Sequence, residues 1–267
     1  MPSRLIFLKL GGSLITDKNI PHRVRLDVLE RLAVEVSRAL AEQPDILLLL
    51  GHGSGSFGHI PAKKYHTREG VNTVKQWRGF AEVWQEARAL NTIVMEVLNK
   101  SKINALAFPP CAQVVTDSHK IVRWDTTQIA TCLEKDILPV IYGDVVFDKS
   151  LGGTILSTEE QFEYLAAIFK PASILLAGIE SGVWMDFPKR NELLDSITPH
   201  NLPVVEPMLE SSESPDVTGG MRSKVHSMMN LVFNRHCQQV LIFSGLAEGN
   251  VYQALIGKKT GTRLALD

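Results

Sequence analysis

Two runs of mainly apolar residues, each followed by a glycine-rich loop, constrain the fold of this chain more than any other feature. The runs cover residues 5–10 and 46–50, and between them apolar residues recur at helical spacing, at Leu26, Leu29, Ala33, Val36 and Leu40. Neither run alternates apolar and polar residues, so each is expected to form a strand covered by helices on both faces, as in parallel sheets. The order strand, helix, strand therefore predicts an α/β fold with a mainly parallel sheet.

The rest of the chain continues this alternation of strands and helices. Wide apolar faces predict helices over residues 72–100 and 126–134, and the spacing of Ser157 and Glu160 predicts a capping box that starts another helix. The polar segment 188–215 carries five prolines, which predicts irregular structure or a mobile flap. Short strands are predicted at residues 105–108, 121–123, 140–142, 174–177 and 240–243.

Length, charge and cysteine content narrow the class of protein. The chain has 267 residues, 45% of them hydrophobic, which suits one domain with two lobes. The formal net charge of -1 argues against a nucleic-acid binder or a membrane-surface binder. The three cysteines lack C-x-x-C spacing, which argues against a zinc cluster and favours a cytoplasmic protein. No apolar run approaches the roughly 18 residues that span a bilayer, so no membrane segment is expected.

The second glycine-rich loop reads Gly-His-Gly-Ser-Gly-Ser-Phe-Gly-His over residues 51–59. Its four glycines allow backbone N–H groups to approach an anion closely, and a loop after a parallel strand lies where α/β sheets bind ligands. His59 ends the loop and could donate a hydrogen bond to a phosphate. No set of metal ligands flanks His52 or His59. His59 is therefore assigned to substrate binding rather than to zinc, and His52 is assigned a structural role.

Two lysines lie at or beyond the end of the first strand. Lys9 lies inside the strand and precedes Gly11, Gly12 and Ser13. These three residues would continue a strand poorly, but their backbone N–H groups could form a nest that binds an anion. The alternative for Lys9 is an edge-strand lysine whose ammonium reaches water. Lys18 lies in the loop beyond, where a solvated surface lysine is the more common case.

A third lysine and one aspartate follow other predicted elements. Lys224 lies in the first turn of an amphipathic helix that follows Gly219 and Gly220, a position that attracts phosphate, although an exposed lysine on a capped helix is the alternative. Asp144 follows Gly143 after a short buried strand. Its carboxylate could orient lysines or hold a metal through water, and the alternative is an ordinary turn aspartate.

Taken together, three glycine loops, three lysines and one aspartate at strand and helix ends point to phosphoryl transfer by positioning and charge neutralisation. No nucleophilic side chain is required. The chain lacks a Walker A motif, the H-R-D and D-F-G motifs of protein kinases, and a G-x-S-x-G elbow. Those enzyme classes are therefore set aside.

The motifs occur in the order found in the amino acid kinase superfamily: residues 9–13, the loop 51–59, Gly143-Asp144, and residues 218–221 with Lys224. Within that superfamily the sequence resembles the isopentenyl phosphate kinases, over nearly the whole chain. His59 is the distinguishing residue, since members that phosphorylate carboxylates or carbamate generally lack a histidine there. The resemblance implies an open three-layer αβα sandwich with a mainly parallel central sheet.

The resemblance also implies an activity. The enzyme would phosphorylate isopentenyl phosphate to isopentenyl diphosphate with ATP by direct in-line transfer, with Mg²⁺ accompanying the nucleotide and no metal ligand assigned to the protein. An N-terminal substrate lobe over about residues 1–150 and a C-terminal nucleotide lobe over about residues 151–267 are implied. A homodimer through helices of the substrate lobe is also implied.

The resemblance assigns roles residue by residue. Catalysis falls to Lys9, Lys18, His59 and Asp144, with Asp144 orienting the lysines. The acceptor site comprises Gly53, Ser54, Gly143 and His59. A five-carbon tail also needs an apolar pocket, and we assign its wall to Phe80, Val83, Trp84 and Ile155, with ordinary core packing as the alternative. The ATP phosphates are assigned to Lys9, Gly11, Gly12, Ser13, Gly55, Thr218, Gly219, Gly220 and Lys224.

The sequence departs from the family pattern at two places in the nucleotide lobe. It has Ser-Thr-Glu at residues 157–159, where archaeal members tend to have Ser-Gly-Asp, and Glu-Ser-Gly-Val at 180–183, where many members have Val-Asp-Gly-Val. The residues that contact adenine, ribose or Mg²⁺ are therefore left unassigned. Two alternatives stay open, a kinase of another small phosphate or phosphonate, similar to fosfomycin kinases, and a catalytically silent ligand-binding module.

Overall fold

The computed structural model describes residues 4–17, 20–209 and 220–267, so the predicted site residues Lys18, Thr218 and Gly219 lie outside the described residues. The strands are β1 (Arg4–Leu10), β2 (Ile46–His52), β3 (Ala105–Phe108), β4 (Val114–Asp117), β5 (Lys120–Trp124), β6 (Leu138–Tyr142), β7 (Asp144–Asp148), β8 (Gly152–Leu156), β9 (Ser173–Gly178), β10 (Ser196–Ile197), β11 (Gln239–Ser244) and β12 (Thr262–Ala265). The helices are α1 (Gly12–Ile15), α2 (Leu26–Glu42), α3 (Gly55–Tyr65), α4 (Val74–Lys100), α5 (Pro110–Gln113), α6 (Thr127–Glu134), α7 (Thr158–Phe169), α8 (Leu202–Leu209), α9 (Gly220–Phe233) and α10 (Asn250–Leu255). Within these described ranges, no helix combines the length and the apolar character needed to cross a membrane.

One large sheet with helices on both faces forms the centre of the molecule. Its strand order is β10, β12, β11, β9, β1, β2, β6, β3, and all neighbours are parallel except β11 and β12. Successive residues of β1 point to opposite faces. Phe7 packs against Phe162 of α7 with ring centroids 5.2 Å apart, whereas Leu8 belongs to the core formed with α2, α4 and α10. The predicted three-layer αβα sandwich with a mainly parallel sheet is confirmed.

Local sequence signals placed most elements correctly. The predicted capping box is present, with the Ser157 N–H donating to the Glu160 carboxylate at 2.7 Å and the Glu160 N–H donating to the Ser157 hydroxyl at 3.2 Å. The prediction of irregular structure over 188–215 was wrong for residues 196–197 and 202–209, which form β10 and α8, and its part over 210–215 lies outside the described residues. Val205 and Leu209 are buried against the main core, and this packing outweighs the prolines nearby.

The glycine-rich stretch 51–59 was predicted as one loop, and its extent was wrong. β2 continues through His52 because it pairs along its length with β1 and, near its end, with β6. Helix α3 begins at Gly55, so residues 53–54 alone connect the two elements. His59 therefore lies on α3, near its start, instead of at the end of a loop.

The carboxyl ends of β1, β2, β6 and β9 lie side by side. His52 is level with Leu10 on one side and with Tyr142 on the other, and Leu10 is level with Ala177 of β9. The chain passes from β1 outward through β2 in one direction and returns to β9 in the other. Open α/β sheets bind ligands outside the carboxyl ends of the strands at such a reversal of strand order.

A smaller sheet, in the order β5, β4, β7, β8, adjoins this edge. Its strand β7 follows β6 after a single residue and pairs antiparallel with β8. Val145 of β7 packs with Ala62 of α3 and Val83 of α4 in a separate hydrophobic cluster. The β7–β8 hairpin spans the predicted lobe boundary at about residue 150, and Ile155 of β8 packs with this cluster from the N-terminal half.

Candidate active site

A cleft of about 440 Å³ opens at the carboxyl edge of the large sheet. It brings together most of the predicted residues that the structure describes: Lys9, Gly11, Gly12, Ser13, Gly53, Ser54, His59, Val83, Gly143, Asp144, Ile155, Gly220 and Lys224. Among the described residues predicted for the site, Gly55, Phe80 and Trp84 do not line the cleft.

The strand order gives the cleft two unlike ends with Lys9 of β1 between them. The segments after β2 and β6 lie on one side of β1, and the segment after β9 lies on the other. We call the first side the histidine end, which comprises Gly53, Ser54, His59, Gly143, Asp144, Val83 and Ile155. We call the second side the tryptophan end, which comprises Glu180, Trp184, Phe187 and Arg190.

Two glycine segments touch at the middle of the site, and this contact requires glycine. A Cβ on Gly12 would lie 2.5 Å from the Gly55 nitrogen, and a Cβ on Gly53 would lie 2.9 Å from the Gly12 nitrogen. Gly55 has a φ of +51°, and a Cβ there would collide with Oγ1 of Thr16. Gly55 does not line the cleft but allows α3 to begin against the segment that follows β1, and its predicted role in holding phosphate stays a prediction.

The first turn of α1 supplies backbone donors at the centre of the cleft. Gly12 and Ser13 are its first residues, and N–H groups in a first turn have no acceptor within the helix. The N–H of Gly11 donates to the Ala177 carbonyl at 2.8 Å, which fixes this turn against β9. The predicted role of Gly12 and Ser13 in holding phosphate stays a prediction that suits this geometry.

Glu159 is the partner of the central lysine. The ammonium of Lys9 forms an ion pair with the Glu159 carboxylate, and the two side chains are only 13% and 16% exposed. Burial by itself raises the pKa of Glu159, but the charges of Lys9 and Lys224 together lower it to about 2. The structure thus groups two lysines about one ionised carboxylate.

Sequence reasoning missed Glu159 because the segment 157–159 was treated only as a departure from the family pattern. The available signal was the capping box, which places Glu159 in the first turn of α7. Arg68 also holds this turn, donating to both oxygens of Glu160 at 2.6 and 3.1 Å and to the Ile155 carbonyl. Since Glu160 caps the helix, this contact fixes the position of Glu159 as well.

Asp144 lies at the histidine end of the cleft, whereas Lys9 pairs with Glu159. The predicted role of Asp144 in orienting the lysines stays a prediction. Asp144 is 1% exposed, and its Oδ1 accepts the Val145 N–H at 2.7 Å. Its Oδ2 is buried and has no hydrogen-bond partner among the residues that the structure describes. Burial raises the pKa of this carboxyl to about 8, against the opposing effect of the Val145 hydrogen bond. Whether Asp144 acts on Lys18 stays a prediction.

The apolar wall at the histidine end differs in part from the predicted one. Val83 and Ile155 line the cleft together with Ala62, as their assignment required. Phe80 lies behind them, where its ring meets Trp77 and Phe147 at centroid distances of 5.2 and 5.3 Å. Trp84 packs against the hydrophobic cluster that contains Phe80, Val83 and Val145, and it does not line the cleft. Helical periodicity identifies an apolar face but not which of its residues reach a cavity. Phe80 and Trp84 are not part of the lining, and their assignment to the wall stays a prediction.

The tryptophan end contains residues that the sequence left unassigned. The Glu180 carboxylate accepts hydrogen bonds from Arg190 at 2.9 and 3.0 Å and from the Trp184 indole at 3.0 Å. The Arg190 guanidinium lies 4.8 Å from the centroid of the Phe187 ring. Two aromatic residues soon after a core strand were the available signal, and a planar base would pack well against such a surface.

Comparison with known proteins agrees with this fold and site. The amino acid kinase family matches residues 4–244, and the chain belongs to that family. It is 35% identical to the isopentenyl phosphate kinase of Methanocaldococcus jannaschii over 97% of this chain and 98% of the relative, and 31% identical to that of Methanothermobacter thermautotrophicus over the same shares. An X-ray structure of an isopentenyl phosphate kinase has a TM-score of 0.81 and 28% identity, and the match covers 98% of this chain and 100% of that one.

Proposed function

We propose that this protein transfers the γ-phosphoryl group of ATP to isopentenyl phosphate and forms isopentenyl diphosphate. The observation that carries the proposal is the cleft with unlike ends on either side of Lys9. The histidine end offers His59 beside the apolar side chains of Val83 and Ile155, which suits a phosphate attached to a short hydrocarbon. The tryptophan end suits a nucleotide base, and relatives of nearly equal length carry the corresponding name.

The residues support direct in-line transfer. An oxygen of the acceptor phosphate attacks the γ-phosphorus, the bond from that phosphorus to the bridging oxygen breaks, and ADP leaves with the electron pair. Lys9, held by Glu159, would neutralise charge on the transferring group, and Lys224 would contact the ATP phosphates. His59 would hold the acceptor phosphate, and Lys18 keeps its predicted role beside Lys9.

Mg²⁺ fits this site as a companion of the nucleotide. Among the described residues, no group of three His, Cys, Asp or Glu side chains could hold a metal ion. Mg²⁺ in kinases is commonly held by substrate phosphates with one or two carboxylates. One buried oxygen of Asp144 lacks a partner within the described part of the chain, so Asp144 is the residue that would complete such a site. The ion would supply charge neutralisation on the phosphates.

Three further features belong to the proposal. We retain a substrate lobe over about residues 1–150 and a nucleotide lobe over about residues 151–267. A homodimer and a cytoplasmic location also stay predictions. Sedimentation equilibrium of the full chain at micromolar concentration tests the dimer, and a monomer across that range would contradict it.

The activity is tested with purified full-length protein, ATP, Mg²⁺ and isopentenyl phosphate, followed by mass spectrometry of the products. We expect isopentenyl diphosphate and ADP in equal amounts. Parallel reactions with methyl phosphate, fosfomycin and glutamate separate the alternatives. A preference for fosfomycin would favour a phosphonate kinase, and phosphorylation of glutamate would contradict a phosphate acceptor.

Two controls make a negative result informative. Lys9→Ala should abolish turnover, which excludes a contaminating kinase as the source of product. ATP binding is measured separately by calorimetry. Binding without turnover of any acceptor would identify a ligand-binding module and overturn the proposed activity.

A further inference from the structure

His52 contacts several parts of the site, although no step of the proposed reaction uses its side chain. It is 0% exposed, and its ring stacks on Tyr142 of β6 with centroids 5.4 Å apart and an interplanar angle of 10°. Its Nε2 lies 3.1 Å from the Asn91 amide nitrogen of α4, and its Nδ1 lies 3.1 Å from the Gly53 carbonyl oxygen. Asn91 is itself only 6% exposed.

These two contacts fix which ring nitrogen carries the proton. A carbonyl oxygen only accepts hydrogen bonds, so Nδ1 of His52 must be the donor to Gly53. In a neutral imidazole Nε2 is then the acceptor, and Asn91 must present its NH₂ group to it. Burial lowers the pKa of His52 to about 4, an effect that nearby Lys9 reinforces and the Gly53 hydrogen bond opposes, so the ring is neutral near pH 7.

We infer that His52, held by Asn91 as the Nδ1–H tautomer, is a positioning residue for the histidine end of the cleft. The Gly53 carbonyl and the Ser54 N–H belong to one planar peptide and point in opposite directions. Because the carbonyl points toward the His52 ring, the Ser54 N–H points away from it. Ser54 lines the cleft and is the N-cap of α3, the helix that carries His59.

The backbone carbonyl of His52 joins two more parts of the cleft. The His52 carbonyl oxygen accepts the Gly143 N–H at 3.1 Å and the Thr158 hydroxyl at 2.7 Å. Thr158 directly precedes Glu159, the partner of Lys9. His52 therefore sets the relative position of segments from β2, β6 and α7, and its ring adds the orientation of the Gly53–Ser54 peptide.

The inference rests on the proposed function only where it concerns isopentenyl phosphate. The first experiment is NMR of the unliganded wild-type protein labelled with ¹⁵N-histidine, with the His52 signals identified by their loss in His52→Phe. We expect a proton on Nδ1 and none on Nε2. A proton on Nε2 alone, or on both nitrogens at pH 7, would overturn the inference without any kinetic measurement.

The second experiment compares two substitutions of the same residue. His52→Phe retains an aromatic ring for stacking but removes the hydrogen bond, whereas His52→Asn places an amide donor near the position of Nδ1. We expect His52→Phe to raise the KM for isopentenyl phosphate about tenfold or more and the KM for ATP less than about threefold. His52→Asn should recover most of this loss. His236→Phe, at the opposite edge of the sheet, is the matched control and should change neither KM.

Other outcomes contradict the inference. Equal changes in the KM for isopentenyl phosphate and the KM for ATP would indicate that His52 acts only through packing. The same conclusion would follow if His52→Asn and His52→Phe raised the KM for isopentenyl phosphate equally. If the wild-type protein does not turn over isopentenyl phosphate, the proposed function fails. Hydrogen–deuterium exchange over residues 53–59 then tests whether His52 positions this segment. Exchange there must be faster in His52→Phe than in His52→Asn, and equal rates would overturn it. If His52→Phe does not fold, the His52 signals are identified by their loss in His52→Asn, and the protonated nitrogen in the wild-type spectrum decides.

Discussion

The ion pair at the centre of the cleft makes a quantitative prediction about stability. Glu159→Gln removes the carboxylate that pairs with Lys9 and that the charge of Lys224 also stabilises. The Glu159 carboxyl has a pKa of about 2 in the folded protein, against an ordinary value of 4.5. A lower pKa in the folded state means that the ionised carboxylate favours folding, here by about 3 kcal/mol at pH 7.

The same difference fixes the pH dependence of this contribution. It is fully present above the unfolded-state pKa of 4.5 and is lost as the pH falls through about 2. At pH 3.5 about 2 kcal/mol should remain. The stability difference between wild type and Glu159→Gln should therefore shrink by about two fifths between pH 7 and pH 3.5.

Urea unfolding followed by circular dichroism at pH 7, 5 and 3.5 measures this difference. Glu163→Gln, four residues along the same helix, is the matched control. Burial raises the pKa of Glu163, with further contributions from the Glu160 and Glu159 charges, so removing its charge should leave stability at pH 7 unchanged or higher. Equal stability of wild type and Glu159→Gln at pH 7 would refute the reasoning, and so would a difference that stays constant with pH.

Three further substitutions test other parts of the site. His59→Ala should weaken binding of isopentenyl phosphate by roughly 1.5–3 kcal/mol and that of ATP much less, which calorimetry with each ligand measures; equal losses would contradict its assignment to the acceptor. Gly12→Ala should destabilise the fold by about 1–3 kcal/mol in urea unfolding, because its Cβ would lie 2.5 Å from the Gly55 nitrogen. Gly178→Ala is the control, because a Cβ at Gly178 would have no atom within 4 Å. Val83→Phe should lower kcat/KM for isopentenyl phosphate about tenfold while methyl phosphate turnover stays nearly unchanged, and an equal loss with both acceptors would argue against an apolar wall.

Local patterns in the sequence were sufficient for most of the fold. Continuous apolar runs located the central strands, helical spacing located α2 and α4, and the Ser157–Glu160 capping box located the start of α7. Each of these signals depends on residues close together in the chain. The prediction failed at α8, where burial of Val205 and Leu209 in the main core outweighs the local effect of prolines.

The sequence also predicted part of the candidate site. The glycine motifs, Lys9 and Lys224 lie at the ends of elements, and parallel strands bring those ends to one edge of the sheet. The sequence could not tell which apolar residues of α4 reach the cavity, so Phe80 and Trp84 were placed in the wall although Val83 is the one that lines it. That distinction depends on how α4 packs against α3 and the β7–β8 hairpin.

By itself, therefore, the sequence determined the α/β class, the order of the motifs and the kind of chemistry that a set of glycine loops and lysines supports. Only the tertiary structure decided which charges meet. It paired Lys9 with Glu159 instead of Asp144 and set Asn91 against His52. It also buried one oxygen of Asp144 with no partner from the described ranges. The physical reason is that ion pairs and buried hydrogen bonds depend on distances between segments far apart in the chain, and packing of the two helical layers on the sheet sets those distances.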